Sequence, residues 1–299
     1  MTAQALSPRA LLLALAVVAV WGSNFAVIGT ALHSLPPLLF ATLRFAAVVF
    51  PLIFFVRRPD VSWRILIAYG LAIGVGQFGL LFIAIKGHIA PGLASLIVQT
   101  QVVFTIAMAM MGSGERLKPL QWPALGLALA GLGVVAGHTG GEVSLTGIVL
   151  VLGAAMGWSL GNMAQRAAGK VEMLGFITWS SLFAVPPLFG LSLWIEGWPA
   201  ITGGMAAMTP GLWLAVAWQA VGNTLFGYGA WGWLLARYPA SSVAPTSLLV
   251  PVFGMGSAAL LLGEPLPGWK LLAAALIISG LALNLLAGLV RPAKVTPAA

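Results

Sequence analysis

The chain has 299 residues, 60% of them hydrophobic and 7% charged, where a water-soluble domain carries roughly 25% charged residues. So few charges cannot cover a water-facing surface, which excludes a soluble globular protein and leaves lipid as the solvent over most of the outside. A net charge of +8 would point a soluble protein toward nucleic acid, but here Lys and Arg gather in short loops between apolar runs, and no cysteine is present for disulfides, thiolate ligands or nucleophiles.

Crossing ~30 Å of hydrocarbon takes about 20 helical residues, and ten stretches of about that length follow one another. The first, 9–31, begins like a signal peptide after Arg9. Its apolar run, however, continues through Trp21-Gly22-Ser23-Asn24-Phe25 to Ala31, which is long enough to span. Next come 36–56, which holds Arg44, then 63–85, 89–112 and 121–138. The second half reads 145–166, 173–195 with Pro186-Pro187, 211–235, 240–262 with Pro245 and Pro251, and 269–290. The longest connection, Glu196 to Pro210, holds Trp198, Pro199 and Gly203-Gly204 and reads as an interfacial loop.

Basic residues give the orientation. With the N-terminus inside, the inner loops hold Arg9, Arg57, Arg58, Arg64, Arg116, Lys118, Arg166, Lys170, Arg237, Arg291 and Lys294, whereas Lys86 and Lys270 lie outside. That bias predicts an even number of spans and two cytoplasmic termini. His33, His88 and His138 then all fall outside. They are too far apart for a metal site and act as loop residues or pH sensors.

The second half repeats the first. Gly114-Glu115-Arg116-Leu117 parallels Gly263-Glu264-Pro265-Leu266, and Gly131-Leu132 parallels Gly280-Leu281, all at an offset of 149. Trp158 in the sixth span stands where Trp21 does in the first. Two units are therefore expected, 1–138 and 139–299. Five spans per unit is an odd number, so the units face opposite ways. The expected fold is an all-α integral membrane protein, with ten transmembrane helices in two inverted five-helix repeats around a central cavity.

Helix contacts without hydrophobic drive favour small residues, and Gly70/Gly74, Gly133/Gly137 and Gly153/Gly157/Gly161 have that spacing. Pro245 and Pro251 are hinge candidates, because a proline inside a span frees a carbonyl and bends the helix. Amides near mid-membrane need partners. Asn24, Gln77, Gln99, Gln101, Asn162, Gln219 and Asn223 fall on corresponding spans of both halves, as a shared polar cavity requires. The substrate-binding candidates are Asn24, Gln77, Gln99, Gln101, Asn162 and Asn223 for hydrogen bonding, with Trp21, Phe78, Phe82, Trp158 and Tyr228 as apolar walls. Asp60, Glu115, Glu142, Glu172, Glu196 and Glu264 all lie in loops or at helix ends, so a proton pump built on a buried acid is not expected. Arg44 alone is charged within a span. It snorkels, meets helix-end carbonyls, or helps bind an anion.

These residues resemble the drug/metabolite transporter superfamily, and in particular the EamA-like exporters. The resemblance is carried by Trp21-Gly22-Ser23-Asn24-Phe25, Leu43-Arg44-Phe45, the segments ending in Gly114-Glu115 and Gly263-Glu264, and Pro251. The family often has proline in both halves, but Gln101 stands where the first half would carry it. The resemblance implies alternating access around a central cavity, in a bacterial inner membrane, and comes nearest to the aromatic amino-acid and methyl viologen exporters. The expected activity is export of neutral or aromatic amino acids and related metabolites. Efflux of cationic drugs and carriage of sugar phosphates or nucleotide sugars are the alternatives. With no metal cluster, nucleophile–base pair or phosphate loop, neither an enzyme nor a cofactor is expected. The expected partners are a small-molecule substrate and the lipid bilayer, with no nucleic acid, and the chain is expected to act as a monomer.

Overall fold

A computed structural model describes residues 6–113, 119–238 and 240–289. Gly114-Glu115, Arg116, Lys118, Arg291 and Lys294 lie outside the described residues. Regular structure within them is helical, and each predicted stretch is helical over most of its length. The rods are α1 (Pro8–Leu32), α2 (Pro37–Phe54), α3 (Trp63–Ile85), α4 (Pro91–Met108), α5 (Gln121–Ala136), α6 (Leu145–Ala168), α7 (Met173–Glu196), α8 (Trp198–Ala206), α9 (Pro210–Leu235), α10 (Thr246–Leu262) and α11 (Gly268–Ala287). Seven are long and apolar enough to cross a membrane. α8 and α9 form a pair bent by 106°, while α5 and α10 are apolar but shorter. The stretch read as an interfacial loop is thus largely the short helix α8, which starts with Pro199 in its first turn.

Local chemistry sets many of the helix starts. Proline stands in the first turn of α1, α2, α4 and α9, where its missing N–H costs nothing. Ser7, Ser144 and Thr209 cap α1, α6 and α9 with side-chain oxygens. Three glutamates serve the same end. Glu172 accepts from Leu174 N and Gly175 N of its own helix. Glu196 reaches across to Leu38 N and Leu39 N of α2, at 2.6 and 3.1 Å. Glu264 accepts from Gly92 N at the start of α4. A carboxylate at a helix N-terminus meets unpaired N–H groups and the positive end of the helix dipole.

The rods pack in pairs: α1 on α10, α4 on α6, α3 on α6, α1 on α9, α2 on α7 and α5 on α11. Glycines permit the closest crossings. A Cβ on Gly22 of α1 would lie 2.6 Å from Val250 O, and one on Gly76 of α3 would lie 3.2 Å from Gly157 Cα. Gly133 and Gly137 do not take part as expected: a Cβ on Gly133 meets nothing within 4 Å, and one on Gly137 meets only its own helix. Gly131 makes the α5 crossing instead, since two residues along a helix turn the contact face by about 200°.

The two ends of the bundle differ. At the end bearing the histidines the loops are tied together. Ser144 N donates to His88 O at 2.9 Å, Ala90 N to Glu142 O at 3.0 Å, Lys270 pairs with Glu142, and Lys86 donates to Leu32 O. His138 stacks on Trp269 with ring centroids 4.7 Å apart. The opposite end carries Arg57, Arg166, Lys170 and Arg237.

Candidate functional site

Two helices widen at mid-length. α3 widens into π turns over Ala72–Gly79 and α9 over Trp218–Phe226. A π turn skips a carbonyl and often marks a functional site. In α9 the Gly227 N–H bonds to Gly222 O, a five-residue step, rather than to Asn223 O. Trp21 Nε1 of α1 takes the released Asn223 carbonyl at 3.0 Å. Its indole also packs against Tyr228 and Trp231 of α9, with centroids 5.6 and 5.2 Å away.

Between these helices lies a cavity of about 1000 Å³, at the top of the ~300–1,000 Å³ range that holds small molecules. It runs from mid-bundle to exposed Gly169 and Lys170, at the end opposite the tied loops. Trp21, Asn24, Gln77, Phe78, Gln99, Gln101, Trp158, Asn162, Asn223 and Tyr228 all line it. Phe82 does not. It is fully buried one turn beyond Phe78, stacked on Phe40 at 5.2 Å and edge-on to Phe78 at 5.8 Å, so it backs the wall. Pro245 falls in a 3-10 turn, Ala244–Leu249, and buried Pro251 follows in the first turn of the α-helical run beyond it. α4 has a matching 3-10 turn at Val98–Thr100, directly before Gln101. The break predicted from proline in one half thus recurs without proline in the other.

Two polar networks hold the walls. On one side Asn162 Nδ2 donates to Gln101 Oε1 at 3.0 Å, and Ser159 Oγ donates to Gln101 O at 2.7 Å, joining α6 to α4. On the other, Arg44 neither snorkels nor meets helix-end carbonyls. Its residue is 1% exposed, with Nη1 donating to Gln219 Oε1 at 3.1 Å and Nη2 to Thr224 Oγ1 at 3.2 Å. The guanidinium lies 3.4 Å from the centroid of the Phe78 ring. Gln219 Nε2 in turn donates to Asn24 Oδ1 at 2.7 Å. Burying a cation is costly without such partners.

Several lining residues were not among the predicted set. Trp231, Gln165 and Lys170 line the open side, and Asn284 of α11 lines the wall while accepting from Gln121 Nε2 at 2.9 Å. Asn284 is an amide in an otherwise apolar run, the same signal that singles out Gln77. Gln219, fully buried, stands one layer behind the wall.

The model of the EamA-like transporter family matches residues 8–137 and again 145–286. A Salmonella typhimurium (strain LT2) protein named "Probable amino-acid metabolite efflux pump" is 44% identical over 91% of this chain and 93% of its own length. Its Escherichia coli (strain K12) namesake is 42% identical over the same shares. A Streptantibioticus cattleyicolor protein named "Probable terminal-alkyne amino-acid exporter" is 28% identical over 89% of this chain and 90% of its own. A solved crystal structure superposes with a TM-score of 0.60 at 20% identity, covering 94% of this chain and 98% of that one. That last likeness is one of fold alone.

Proposed function

Because the chain belongs to the EamA-like transporter family, we propose that this multi-pass membrane transporter exports neutral or aromatic amino acids and related metabolites across the bacterial inner membrane. The observation that carries this reading is the cavity itself. It joins amides from both halves of the chain to an aromatic wall, reaches one end of the bundle, and stops below tied loops at the other. The names of the relatives support amino-acid metabolites as the solute class.

The mechanism we propose is alternating access between two inverted five-helix repeats, making ten spans. Two separate family matches support the division. So does the reciprocal packing, in which α1 rests on α10 and α9 as α6 rests on α4 and α3. With the basic end cytoplasmic, the cavity opens to the cytoplasm, and both termini lie there. The 3-10 turns at Val98–Thr100 and Ala244–Leu249 are the hinges of this scheme, with Pro245 inside the second and Pro251 in the first α turn beyond it. Since the described acids all lie in loops or at helix ends, with Glu142, Glu172, Glu196 and Glu264 bonded there, transport follows the solute gradient or exchanges solutes without an obligatory proton.

The test is counterflow. Proteoliposomes loaded with unlabelled amino acid should transiently accumulate labelled phenylalanine or threonine, and excess unlabelled solute outside should abolish the signal. Accumulation of methyl viologen but of neither amino acid would replace the proposed solute class with cationic drugs.

A further inference from the structure

We infer that the cavity takes its solute by a carboxylate docked on the amide nitrogen of Asn24, and that the buried charge of Arg44, relayed through Gln219, imposes this choice. The inference rests on reading this cavity as the solute site.

The direction of the relay is fixed by chemistry. A guanidinium has only donors, so the Gln219 atom facing Arg44 Nη1 must be the carbonyl oxygen. The other end of Gln219 is then NH₂, and the Asn24 atom that receives it must be Oδ1. Asn24 lines the cavity; its Oδ1 takes the bond from Gln219, and its Nδ2 has no partner among the described residues. What Asn24 offers a solute is therefore its Nδ2, a donor. Each amide dipole in the chain points its positive end away from Arg44 and toward the cavity.

The charge behind the relay has no partner of opposite sign among the described residues. Glu142 is paired with Lys270, while Glu172, Glu196 and Glu264 are held on helix N-termini. Asp60 is exposed in the loop that follows Arg57 and Arg58. The electrostatic neighbours of Arg44 are the phenols of Tyr228 and Tyr69, not carboxylates. Its Nε is buried without an acceptor. The Phe78 and Phe45 rings, 3.4 and 5.2 Å from the guanidinium carbon, soften the charge but do not cancel it. An anion bound at Asn24 supplies the missing counter-charge, and a cation placed there meets repulsion. Across a relay of about 10 Å and an effective dielectric of about 20, this amounts to roughly tenfold in affinity in each direction. The same charge therefore selects against the cationic drugs that an aromatic wall alone would accept.

Thermal unfolding of the purified full-length protein tests this with three probes of one shape. These are phenylalanine, 3-phenylpropionate, which keeps only the carboxylate, and phenethylamine, which keeps only the ammonium. The acid should raise the melting temperature at concentrations about a hundredfold below any effect of the amine, about tenfold from attraction and about tenfold from repulsion, and the amino acid should also act below the amine. Gln219→Glu should reverse the order without touching the cavity wall. Its new carboxylate neutralises Arg44 and has no N–H to give, so Asn24 turns its nitrogen inward and presents a carbonyl to the solute. Should that variant not fold, Asn24→Asp makes the same exchange one residue closer to the solute. An amine that stabilises the wild type as well as the acid does, stabilisation by none of the three, or an order unchanged in the variant that folds would each overturn the inference. Counterflow separates it from the transport reading. If the acid stabilises but no probe is carried, transport falls and the carboxylate site stands. If phenylalanine is carried and the amine competes as well as the acid, transport stands and the carboxylate site falls.

Discussion

Gly131 and Gly280 sit in reciprocal positions on α5 and α11. A Cβ on Gly131 would come 3.0 Å from Ala273 O, and one on Gly280 would come 2.6 Å from Ala124 O and 3.0 Å from Ala128 N. The offset of 149 that relates the two glycines also relates Ala124 to Ala273 and Ala128 to Ile277. Each helix thus offers the other the same notch. Because Gly280 faces backbone, Gly280→Ala should cost about 1–3 kcal/mol through overpacking. Gly131→Ala should cost less, as Ile277 yields part of the space. The double variant should cost less than the two singles added, since the first substitution already parts the helices. Thermal unfolding in detergent reads all three.

Arg44→Met should separate folding from function. It removes a buried cation whose desolvation costs several kcal/mol. It also loses two charge-assisted hydrogen bonds worth about 1.5–3 kcal/mol each and the contact with Phe78. The terms oppose each other, so stability should move by no more than about 2 kcal/mol. Counterflow of amino acid at limiting concentration should nonetheless fall about tenfold. Parallel loss of folded protein and transport would make Arg44 a structural residue only.

Trp21→Phe keeps an aromatic body between Tyr228 and Trp231 but loses the bond to the Asn223 carbonyl. One buried acceptor left bare costs about 1–3 kcal/mol, and it lies where α9 is widest. The expected outcome is a lower melting temperature together with a several-fold rise in the solute concentration giving half-maximal counterflow. Trp213→Phe, on the exposed outer side of α9, should change neither.

The tied end should carry a pH signature. Burial raises the Glu264 carboxyl above its ordinary range, against the smaller opposing pull of the Gly92 N–H and Lys270. A carboxyl raised in the folded state holds its proton more tightly there than in the unfolded chain. Its contribution to stability is thus greatest below the ordinary carboxylate value and is lost as pH rises through the raised one. The wild-type melting temperature should fall on going upward from about pH 4.5. Glu264→Gln should flatten that part of the profile, and an unchanged slope in the variant would refute the assignment.

Much of this was legible in residue type and order. Apolar length marked the helical stretches, because nothing else satisfies backbone groups in lipid. Amides stranded in those stretches marked the cavity, because they need partners that lipid lacks. Depth was less legible than face. Phe78 and Phe82 share one side of α3, and only packing shows that the first touches the cavity while the second stands behind it. Long-range bonds left no local trace. Nothing near Leu38 announces that its cap is Glu196, and nothing near Arg44 announces Gln219. The helix at Trp198–Ala206 was hidden by Gly203-Gly204, which lower helix propensity without forbidding it.

The π turns in α3 and α9 change how these helices tolerate length. Each behaves as an added residue absorbed into the coil, so the segments before and after it are out of phase with an unbroken α-helix by about 100°. That phase step lets one stretch of chain turn Gln77 or Asn223 to the cavity while its flanks keep their own lipid-facing stripes. Loss of one residue within Trp218–Phe226 should therefore be milder than loss of one from a regular α turn of the same helix. The helix would close into a regular α form with the side chains beyond the deletion facing as before, so Tyr228 and Trp231 would stay beside Trp21 and what is lost is the released carbonyl that Trp21 takes.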